Sequence, residues 1–463
     1  MAQRTAAIEV DPELIRRFGV NGPRYTSYPT ADRFVEAFDA NAHASWLERR
    51  NIGGISTPLS VYVHIPFCQS ICYYCACNKI ITKDHSRSER YLRYLARETE
   101  MQTALLGDER RISQLHWGGG TPTFLSQDEM STLMAMLRDR FEFTSDGEYA
   151  IEIDPRTTPP ATIEHLARLG FNRMSLGVQD FDPDVQRAVN RIQPADMTLT
   201  ALRVARANGF RSINFDLIYG LPKQSMRTFA RTLELVLDAE PDRIALYSYA
   251  HLPERFKPQR RIHETELPSA EERLKIFELA VRTLSGAGYD YIGLDHFARP
   301  DDELSVARRT GRLHRNFQGY STRANADSLA LGVSAISKIG PIYSQNAYEL
   351  DDYYDAIDQG RLPILRGLEL SRDDLVRRSV IMALMCQGEV SFESIEISHL
   401  ISFSSYFERE LESLREYERL GLVEIDDEWL SVTPRGRLLV RVICMVFDKY
   451  LRQTTQARYS KVI

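Results

Sequence analysis

Residues 62–79 read YVHIPFCQSICYYCACNK and hold four of the six cysteines of the chain. The first three, Cys68, Cys72 and Cys75, follow the spacing C-x3-C-x2-C. Soft thiolates select iron–sulfur clusters or zinc, and three of them on one short loop can hold one face of a cuboidal cluster. Such a cluster leaves one iron open for a further ligand, as catalytic metal sites do and closed structural sites do not.

A structural zinc site is the alternative for this loop. Zinc normally takes two ligand pairs from separate places, whereas the four cysteines here crowd together with no second pair nearby. A disulfide framework suits small secreted domains rather than a chain of 463 residues with six cysteines. Cys77 lies two residues after Cys75, and we expect a free thiol or a donor near the substrate there, not a fourth cluster ligand.

Composition limits the class of protein. The length allows two or three domains, and a hydrophobic content of 43% supplies a large core. The formal net charge of −6 offers no global basic field for nucleic acid or an anionic membrane. The N-terminal residues lack the apolar segment of a signal peptide, and no apolar run is long enough to span a bilayer. We therefore expect a cytoplasmic protein, and a monomer because no coiled-coil pattern is present.

Strand and helix patterns alternate from residue 59 onwards. The apolar run Leu59–Ile65 predicts a buried strand that ends at the cysteine loop. Gln114–Trp117 and Tyr149–Ile153 predict further strands, and Ser126 with Glu129 forms a helix capping box. A helix–glycine–aromatic–strand pattern then occurs three times, at Gly170-Phe171, Gly209-Phe210 and Gly288-Tyr289. Such repeats predict an α/β fold with a parallel sheet, open or closed into a barrel.

Polar and glycine residues gather directly after these strands, at the edge where parallel α/β folds bind ligands. They are Gly118–Thr121, Glu152, Gln179, Asp216 and Ser248. Glycines there let the backbone approach a ligand, and buried carboxylates need a partner such as a ribose diol or an ammonium group. Tyr74 offers a flat face on which an adenine can stack, and Gln179 and Arg191 can bind a carboxylate or a ribose. For Ala250 and Ile336, the sequence indicates only apolar packing in the wall of the domain.

The N-terminal region carries helix patterns over Pro12–Phe18 and Asp32–Arg50. Between them, the glycine and proline content of Gly22–Ala31 predicts an extended segment. We favour an arm packed on the domain over a substrate-gating arm.

The C-terminal region differs in character and follows a predicted linker near Gly360–Arg366. A helix over Tyr406–Leu420, a hairpin and a final helix from Pro434 through Leu451 are the order of a winged-helix domain. DNA binding is disfavoured, because the first of these helices carries five acids against three arginines.

Eight segments of the sequence carry a resemblance to one family. They are GPRYTSYPTA, CYYCACNK, HWGGGTPT, GVQDF, NFDLIYGLPKQ, YAHLP, GLDHFARPDDELSVA and HRNFQGY. With the C-x3-C-x2-C spacing, the chain resembles the oxygen-independent coproporphyrinogen III oxidase family of the radical S-adenosylmethionine (SAM) superfamily. The resemblance implies a partial (β/α)6 barrel at residues 53–360, an N-terminal arm at 1–52, and a mostly helical, winged-helix-like domain at 361–463.

The resemblance also implies the site residues. Cys68, Cys72 and Cys75 would hold a [4Fe–4S] cluster. The cluster-bound SAM would contact Tyr62, Gly119, Glu152 and Ile336. A second SAM would lie against Tyr74, where the family more often has Phe, and against Gly120, Thr121, Gln179, Arg191, Asp216 and Ala250. Cys77 and Gln318 match positions that matter for catalysis in the family without ligating the cluster.

The implied reaction is the anaerobic oxidative decarboxylation of two propionate side chains, which converts coproporphyrinogen III to protoporphyrinogen IX in haem biosynthesis. A 5′-deoxyadenosyl radical from SAM would take a hydrogen atom from each propionate, and CO2 and one electron would then leave. Such an enzyme needs an electron donor for the cluster and a terminal electron acceptor. The alternatives are a haem-binding or haem-delivery protein on the same scaffold and, more distantly, a regulatory iron–sulfur winged-helix protein.

A basic insert follows the segment YAHLP and contains Arg255, Lys257, Arg260 and Arg261. The implied substrate carries four carboxylates and needs cationic partners. We expect this insert either to bind those carboxylates or to be a solvated surface charge run.

Overall fold

The computed structural model describes residues 8–51, 57–323, 326–453 and 459. The described residues form two compact units. The sheet unit comprises residues 34–51, 57–269 and 326–369, and the terminal unit comprises residues 8–33, 270–323, 370–453 and 459. No described helix is both long enough and apolar enough to cross a membrane.

The helices, in chain order, are α1 (Pro12–Arg17), α2 (Ala40–Glu48), α3 (Ser86–Leu105), α4 (Gln127–Arg140), α5 (Pro160–Arg168), α6 (Pro183–Ala188), α7 (Ala195–Ala207), α8 (Met226–Ala239), α9 (Ala270–Gly286), α10 (Glu303–Arg309), α11 (Leu350–Asp358), α12 (Arg372–Gln387), α13 (Phe392–His399), α14 (Phe403–Tyr406), α15 (Glu408–Arg419) and α16 (Val440–Val446). The strands are β1 (Leu59–Ile65), β2 (Phe67–Cys68), β3 (Ile80–Ile81), β4 (Arg111–Gly119), β5 (Glu142–Ile153), β6 (Arg173–Gln179), β7 (Ser212–Tyr219), β8 (Arg243–Ser248), β9 (Asp290–Gly293), β10 (His296–Ala298), β11 (His314–Asn316), β12 (Gly319–Ser321), β13 (Ser328–Leu331), β14 (Ile336–Ile339), β15 (Ile342–Asn346), β16 (Ile364–Glu369), β17 (Glu389–Ser391), β18 (Val423–Ile425) and β19 (Trp429–Val432).

The sheet unit is built on parallel strands in the order β13-β1-β4-β5-β6-β7-β8. Helices α3 to α8 connect β1 to β8 in turn, which is the chain order of a (β/α)6 barrel. Strands β14, β15 and β16 extend the sheet beyond β13 in antiparallel pairing. The predicted α/β fold class is confirmed, and the carboxyl ends of these seven parallel strands lie at one edge of the sheet.

Local sequence signals explain these elements. Ser126 and Glu129 form the predicted capping box at the start of α4, whose buried face holds Met130, Leu133, Met134 and Leu137. Gly170 and Gly209 end their helices with positive φ angles of 98° and 83°, a conformation that side chains disfavour. Gly288 does the same after α9, at φ 89°, but it leads into β9, which pairs with β10 in antiparallel fashion. The third repeat therefore starts a hairpin.

The terminal unit contains the predicted winged-helix-like elements. Strands β17, β19 and β18 form a small antiparallel sheet, and β18–β19 is the predicted hairpin. The arm Gly22–Ala31 packs within this unit, because the buried Tyr25 hydroxyl donates to Asp448 Oδ2 at 3.0 Å. The Tyr28 hydroxyl accepts from the backbone N–H of Lys449 at 3.3 Å. These contacts agree with an arm packed on its domain.

Three predicted elements need correction. The helix pattern over Asp32–Arg50 is a helix only at its end, since residues 34–39 lie between a short 3-10 turn and α2, and Val35 bridges to Gly367. The predicted linker Gly360–Arg366 is in part strand β16, which pairs with β15. The final helix is broken into two 3-10 turns around the short α16. The prediction of three consecutive domains stays a prediction, and its boundary at residues 52 and 53 lies outside the described residues.

Candidate active site

A cavity of about 500 Å³ lies in the sheet unit, where the carboxyl ends of the parallel strands meet the cysteine loop. Its volume is in the range of small-molecule and cofactor sites. Most of the predicted site residues line it: Cys68, Cys72, Tyr74, Cys75, Cys77, Gly119, Gly120, Thr121, Glu152, Gln179, Arg191, Asp216 and Ala250. Residues from strands distant in sequence therefore meet in one place.

Three predicted residues lie elsewhere. Tyr62 is on β1, outside the cavity lining, and its hydroxyl lies 3.0 Å from His64 Nδ1. Ile336 begins β14 in the sheet unit. Gln318 belongs to the terminal unit, in the turn between β11 and β12, where its backbone N–H donates to Asn316 Oδ1 at 2.9 Å.

The cysteine loop leaves β1 and is pinned at both ends. Its first cysteine, Cys68, lies on β2, which pairs with β3 after the last cysteine. The Cys68 sulfur lies 3.4 Å from Thr121 Oγ1, and burial raises the pKa of this thiol to about 11. A hydrogen bond from Cys77 lowers the pKa of the Cys75 thiol, and Lys79 Nζ donates to the Cys75 carbonyl at 3.2 Å. The loop thus presents its sulfur atoms on a fixed backbone.

Glu152, at the end of β5, is held beside the glycines that follow β4. It accepts from the Gly119 N–H at 3.2 Å, and its other oxygen lies 3.0 Å from His116 Nε2. Burial alone would raise the pKa of Glu152, but the hydrogen bond with His116 and the Gly119 N–H outweigh it and hold the pKa below its ordinary value. A side chain at Gly118 would meet this carboxylate at 2.8 Å, so glycine is required there. Glu152 is therefore an ionised carboxylate facing the cavity.

Two cations flank the Cys72 sulfur, and sequence reasoning found only one of them. Arg156 Nη2 lies 3.4 Å and Arg191 Nη1 lies 3.6 Å from Cys72 Sγ. Asp154 joins them, because it accepts from Arg156 at 2.6 Å and from Arg191 at 3.1 Å. Burial raises the pKa of Asp154, yet Arg191 and Arg156 outweigh burial and leave that pKa lowered. The signal in the sequence was the run DPRT directly after the β5 pattern.

Asp216, on β7, has a different environment. It accepts from Ser175 Oγ at 2.7 Å and from Asn214 Nδ2 at 2.9 Å, all on neighbouring strands β6 and β7. Burial raises the pKa of Asp216 to about 6, and the nearby Glu152 charge acts in the same direction. The cavity thus contains two carboxylates whose pKa values are moved in opposite directions.

One wall of the cavity follows β8 and includes Ala250, Phe256 and Gln259. The buried Gln259 side chain donates to the Tyr74 carbonyl at 3.1 Å and accepts from the Leu252 N–H at 2.6 Å. This amide ties the wall to the cysteine loop.

The donor set fits an iron–sulfur cluster with a polar organic ligand. Three soft sulfur atoms lie on one loop at the cavity, which is the ligand chemistry of such clusters. The Nε atom of Arg191 is buried and has no hydrogen-bond partner among the described residues, which suits a polar ligand group beside it. Asn214 Oδ1 is likewise buried and has no hydrogen-bond partner among the described residues.

The sheet of this chain is parallel, the cysteine loop follows its first strand, and glycines follow the next strand. These features define the class of radical SAM proteins. The Radical SAM superfamily model matches residues 62–236, and the HemN C-terminal domain model matches residues 370–439. An oxygen-independent coproporphyrinogen III oxidase of Pseudomonas aeruginosa is 51% identical over 98% of this chain and 99% of its own length. The Escherichia coli protein of the same name is 47% identical, with the same two coverages of 98% and 99%.

A solved structure of coproporphyrinogen III oxidase (HemN) from Escherichia coli, described as a radical SAM enzyme, superposes with a TM-score of 0.92. It is 46% identical and covers 96% of this chain and 100% of that chain. The chain therefore belongs to the oxygen-independent coproporphyrinogen III oxidase family. The predicted family, fold class, enzyme class and cofactors, a [4Fe–4S] cluster with SAM, are confirmed.

Proposed function

We propose that this chain converts coproporphyrinogen III to protoporphyrinogen IX by oxidative decarboxylation of two propionate side chains, as a step of haem biosynthesis. The observation that carries the proposal is the meeting of Cys68, Cys72 and Cys75 with the strand-end residues Glu152 and Asp216 around one cavity. A haem-delivery protein on the same scaffold would share this cysteine loop. The choice between the two therefore rests on the relatives described above, which are named coproporphyrinogen III oxidases and match nearly the whole chain.

When bound, the cluster and SAM supply a 5′-deoxyadenosyl radical that takes a hydrogen atom from the propionate β-carbon. The residues of the chain bind, orient and shield. Cys68, Cys72 and Cys75 hold the cluster, while Tyr62, Gly119, Glu152 and Ile336 contact the SAM bound to it. The propionate then loses CO2 and passes one electron to an acceptor, which leaves a vinyl group.

A second SAM binds, in this proposal, against Tyr74, Gly120, Thr121, Gln179, Arg191, Asp216 and Ala250. The support is that all seven line the same cavity as the cysteines. The unpaired Arg191 Nε offers a donor to a carboxylate, and the Tyr74 ring offers a stacking face. Cys77 and Gln318 act on the substrate side of the reaction without ligating iron.

We also propose which electron-transfer partners the enzyme needs and where in the cell it works. The enzyme takes electrons for its cluster from a donor and passes the substrate electron to a terminal acceptor. It works as a cytoplasmic monomer without nucleic acid or membrane, in keeping with its net charge of −6.

An anaerobic assay tests the function directly. Reconstituted protein is supplied with SAM, a strong reductant, coproporphyrinogen III and a cell extract that provides the acceptor. We expect protoporphyrin fluorescence after oxidation, together with 5′-deoxyadenosine, and the loss of both in Cys72→Ser. SAM cleavage without a vinyl product would exclude this substrate, and haem binding without SAM cleavage would favour the haem-delivery alternative.

A further inference from the structure

The basic insert after β8 is divided by the structure into two different pairs of cations. Residues 254–261 carry four cations, Arg255, Lys257, Arg260 and Arg261, against the single acid Glu254, so their net charge is 4 − 1 = +3 in a chain of net charge −6. None of the four cations forms an ion pair within the part of the chain that the structure describes. The neighbouring acids Glu264 and Glu266 are instead paired with His251 and Lys223. Within the described part of the chain, these four cations are therefore not neutralised by a neighbouring acid.

The first pair lies against rings at the cavity. The Arg255 guanidinium lies 5.5 Å from the centroid of the Phe256 ring, and Phe256 lines the cavity. The Arg261 guanidinium lies 5.3 Å from the Tyr73 ring centroid, next to Tyr74 in the cavity lining. Arg261 Nη1 also donates to the Tyr73 hydroxyl at 3.5 Å. The ring contact orients each guanidinium, and the N–H groups that Tyr73 does not engage can donate to the two oxygens of a carboxylate.

The second pair is placed differently. Arg260 Nε donates to the Pro253 carbonyl at 3.1 Å, and Lys257 has no aromatic contact among the described residues. All four cations are exposed, and Arg261 belongs to the same short 3-10 turn, Lys257–Arg261, as this second pair, so the pairs differ in their ring contacts. The chain thus provides, within seven positions, two cations in contact with aromatic rings and two without such a contact among the described residues. Of the two rings, that of Phe256 lines the cavity, and Tyr73 precedes Tyr74, which also lines it.

The backbone between these positions is rigidly held. The buried Gln259 amide connects the Leu252 N–H to the Tyr74 carbonyl, and Ile262 is buried in a hydrophobic cluster that includes Tyr73 and Tyr74. The two ring-stacked arginines are therefore fixed to the wall of the cavity and to the loop that carries the cysteines.

We infer that Arg255 and Arg261 bind the propionate carboxylates of a tetracarboxylate tetrapyrrole at the cavity and thereby select this substrate class. The inference rests on the proposed function and deepens it, since it names the groups that recognise the substrate. Carboxylates are recognised best by planar, bidentate guanidinium groups, whereas Lys257 acts only as a point charge.

Binding of coproporphyrin III, the fluorescent oxidised form of the substrate, tests the inference without turnover. Fluorescence titration of reconstituted protein in the presence of SAM gives the Kd for the unaltered chain and two double variants. Arg255→Gln with Arg261→Gln is expected to weaken binding at least tenfold. The matched control, Lys257→Gln with Arg260→Gln, changes the net charge equally in the same segment and is expected to change the Kd less than threefold. Unchanged SAM binding and an unchanged Tm check that both variants fold.

The possible outcomes distinguish failure of the inference from failure of the proposed function. Equal weakening in both double variants would replace specific recognition by a diffuse charge effect and overturn the inference. Unchanged binding in the Arg255 and Arg261 variant would overturn it while leaving the proposed function intact. Failure of the unaltered protein to bind the porphyrin at all would count against the proposed function and the inference together.

Discussion

Glu98 is a fully buried carboxylate on α3, outside the cavity, and we predict that its removal strongly lowers the stability of the protein. It accepts from the Gly332 N–H at 2.7 Å, the Asn346 amide at 2.7 Å and the Tyr353 hydroxyl at 2.6 Å. Glu98→Ala would leave three buried donors unpaired, each at a cost of about 1–3 kcal/mol. The summed loss, on the order of 3–9 kcal/mol, is comparable with the whole stability of many domains.

The assay is urea and thermal unfolding, with a control on the same helix. Glu100 is exposed, and its carboxylate only meets Arg140 at 3.5 Å, so Glu100→Ala should cost less than about 0.5 kcal/mol. If Glu98→Ala does not fold, Glu98→Gln still tests the network. In this variant the amide oxygen can still accept from the Gly332 N–H and the Tyr353 hydroxyl, whereas the NH2 group faces the NH2 group of Asn346. We therefore expect an intermediate loss of about 1–3 kcal/mol in the free energy of unfolding. Equal midpoints for the Glu98 and Glu100 variants would refute the reasoning.

The same network reaches Ile336, a residue that we propose to contact SAM. Gly332 begins the turn that leads into Ile336, and its carbonyl accepts from Asn346 at 2.8 Å. Tyr91, also on α3, donates to the His64 carbonyl at 2.7 Å, one residue before the end of β1. We therefore expect Glu98→Gln also to weaken SAM binding, because Asn346, which donates to the Gly332 carbonyl ahead of Ile336, loses its carboxylate partner.

Three further predictions concern charge and ligation. Burial raises the pKa of Asp180 to about 6. Because the folded state then holds the proton more tightly than the unfolded chain, the contribution of Asp180 to stability is fully present below about pH 4 and is lost, by about 3 kcal/mol, as the pH rises through 6. Asp180→Asn should flatten this fall in a Tm–pH series, whereas the exposed control Asp184→Asn should not. Cys77→Ser should keep its full iron and sulfide content, whereas Cys72→Ser should lose it; equal losses would make Cys77 a ligand. Arg156→Gln should make the cluster potential more negative in a redox titration, since a cation that donates to the Cys72 sulfur is removed.

The sequence predicts the fold and most of the cavity for a physical reason. Glycine stops and capping residues act locally, so the alternation of helices and strands is readable without tertiary information. Once the sheet is known to be parallel, all strand-end residues must share one edge. Glu152, Gln179 and Asp216 are far apart in sequence, yet they line one cavity for this reason.

Residues that act through long-range pairing were not predictable in the same way. Asp154 and Arg156 follow β5 in a proline turn, and in a single sequence an arginine beside an aspartate resembles a surface ion pair. Only the fold brings Arg156 and Arg191 to the Cys72 sulfur. Glu98 likewise has the pattern of an exposed helical acid, because its partners Asn346 and Tyr353 come from about 250 residues away.

Cationic and acidic side chains occupy different parts of the cavity, and this distribution of charge agrees with the proposed chemistry. Arg156 and Arg191 lie at the Cys72 sulfur and share the single carboxylate of Asp154, so together these three residues carry a net positive charge. In the proposed complex, the three thiolates and the cluster would bring negative charge to them. The ionised Glu152, near the end of β5, and the weakly acidic Asp216, within β7, line the same cavity, and in the proposed complex the sulfonium and amino groups of SAM would bring positive charge to them. Opposite charges favour each other's ionised forms when buried, so each half of the cavity is complementary to what it is proposed to hold.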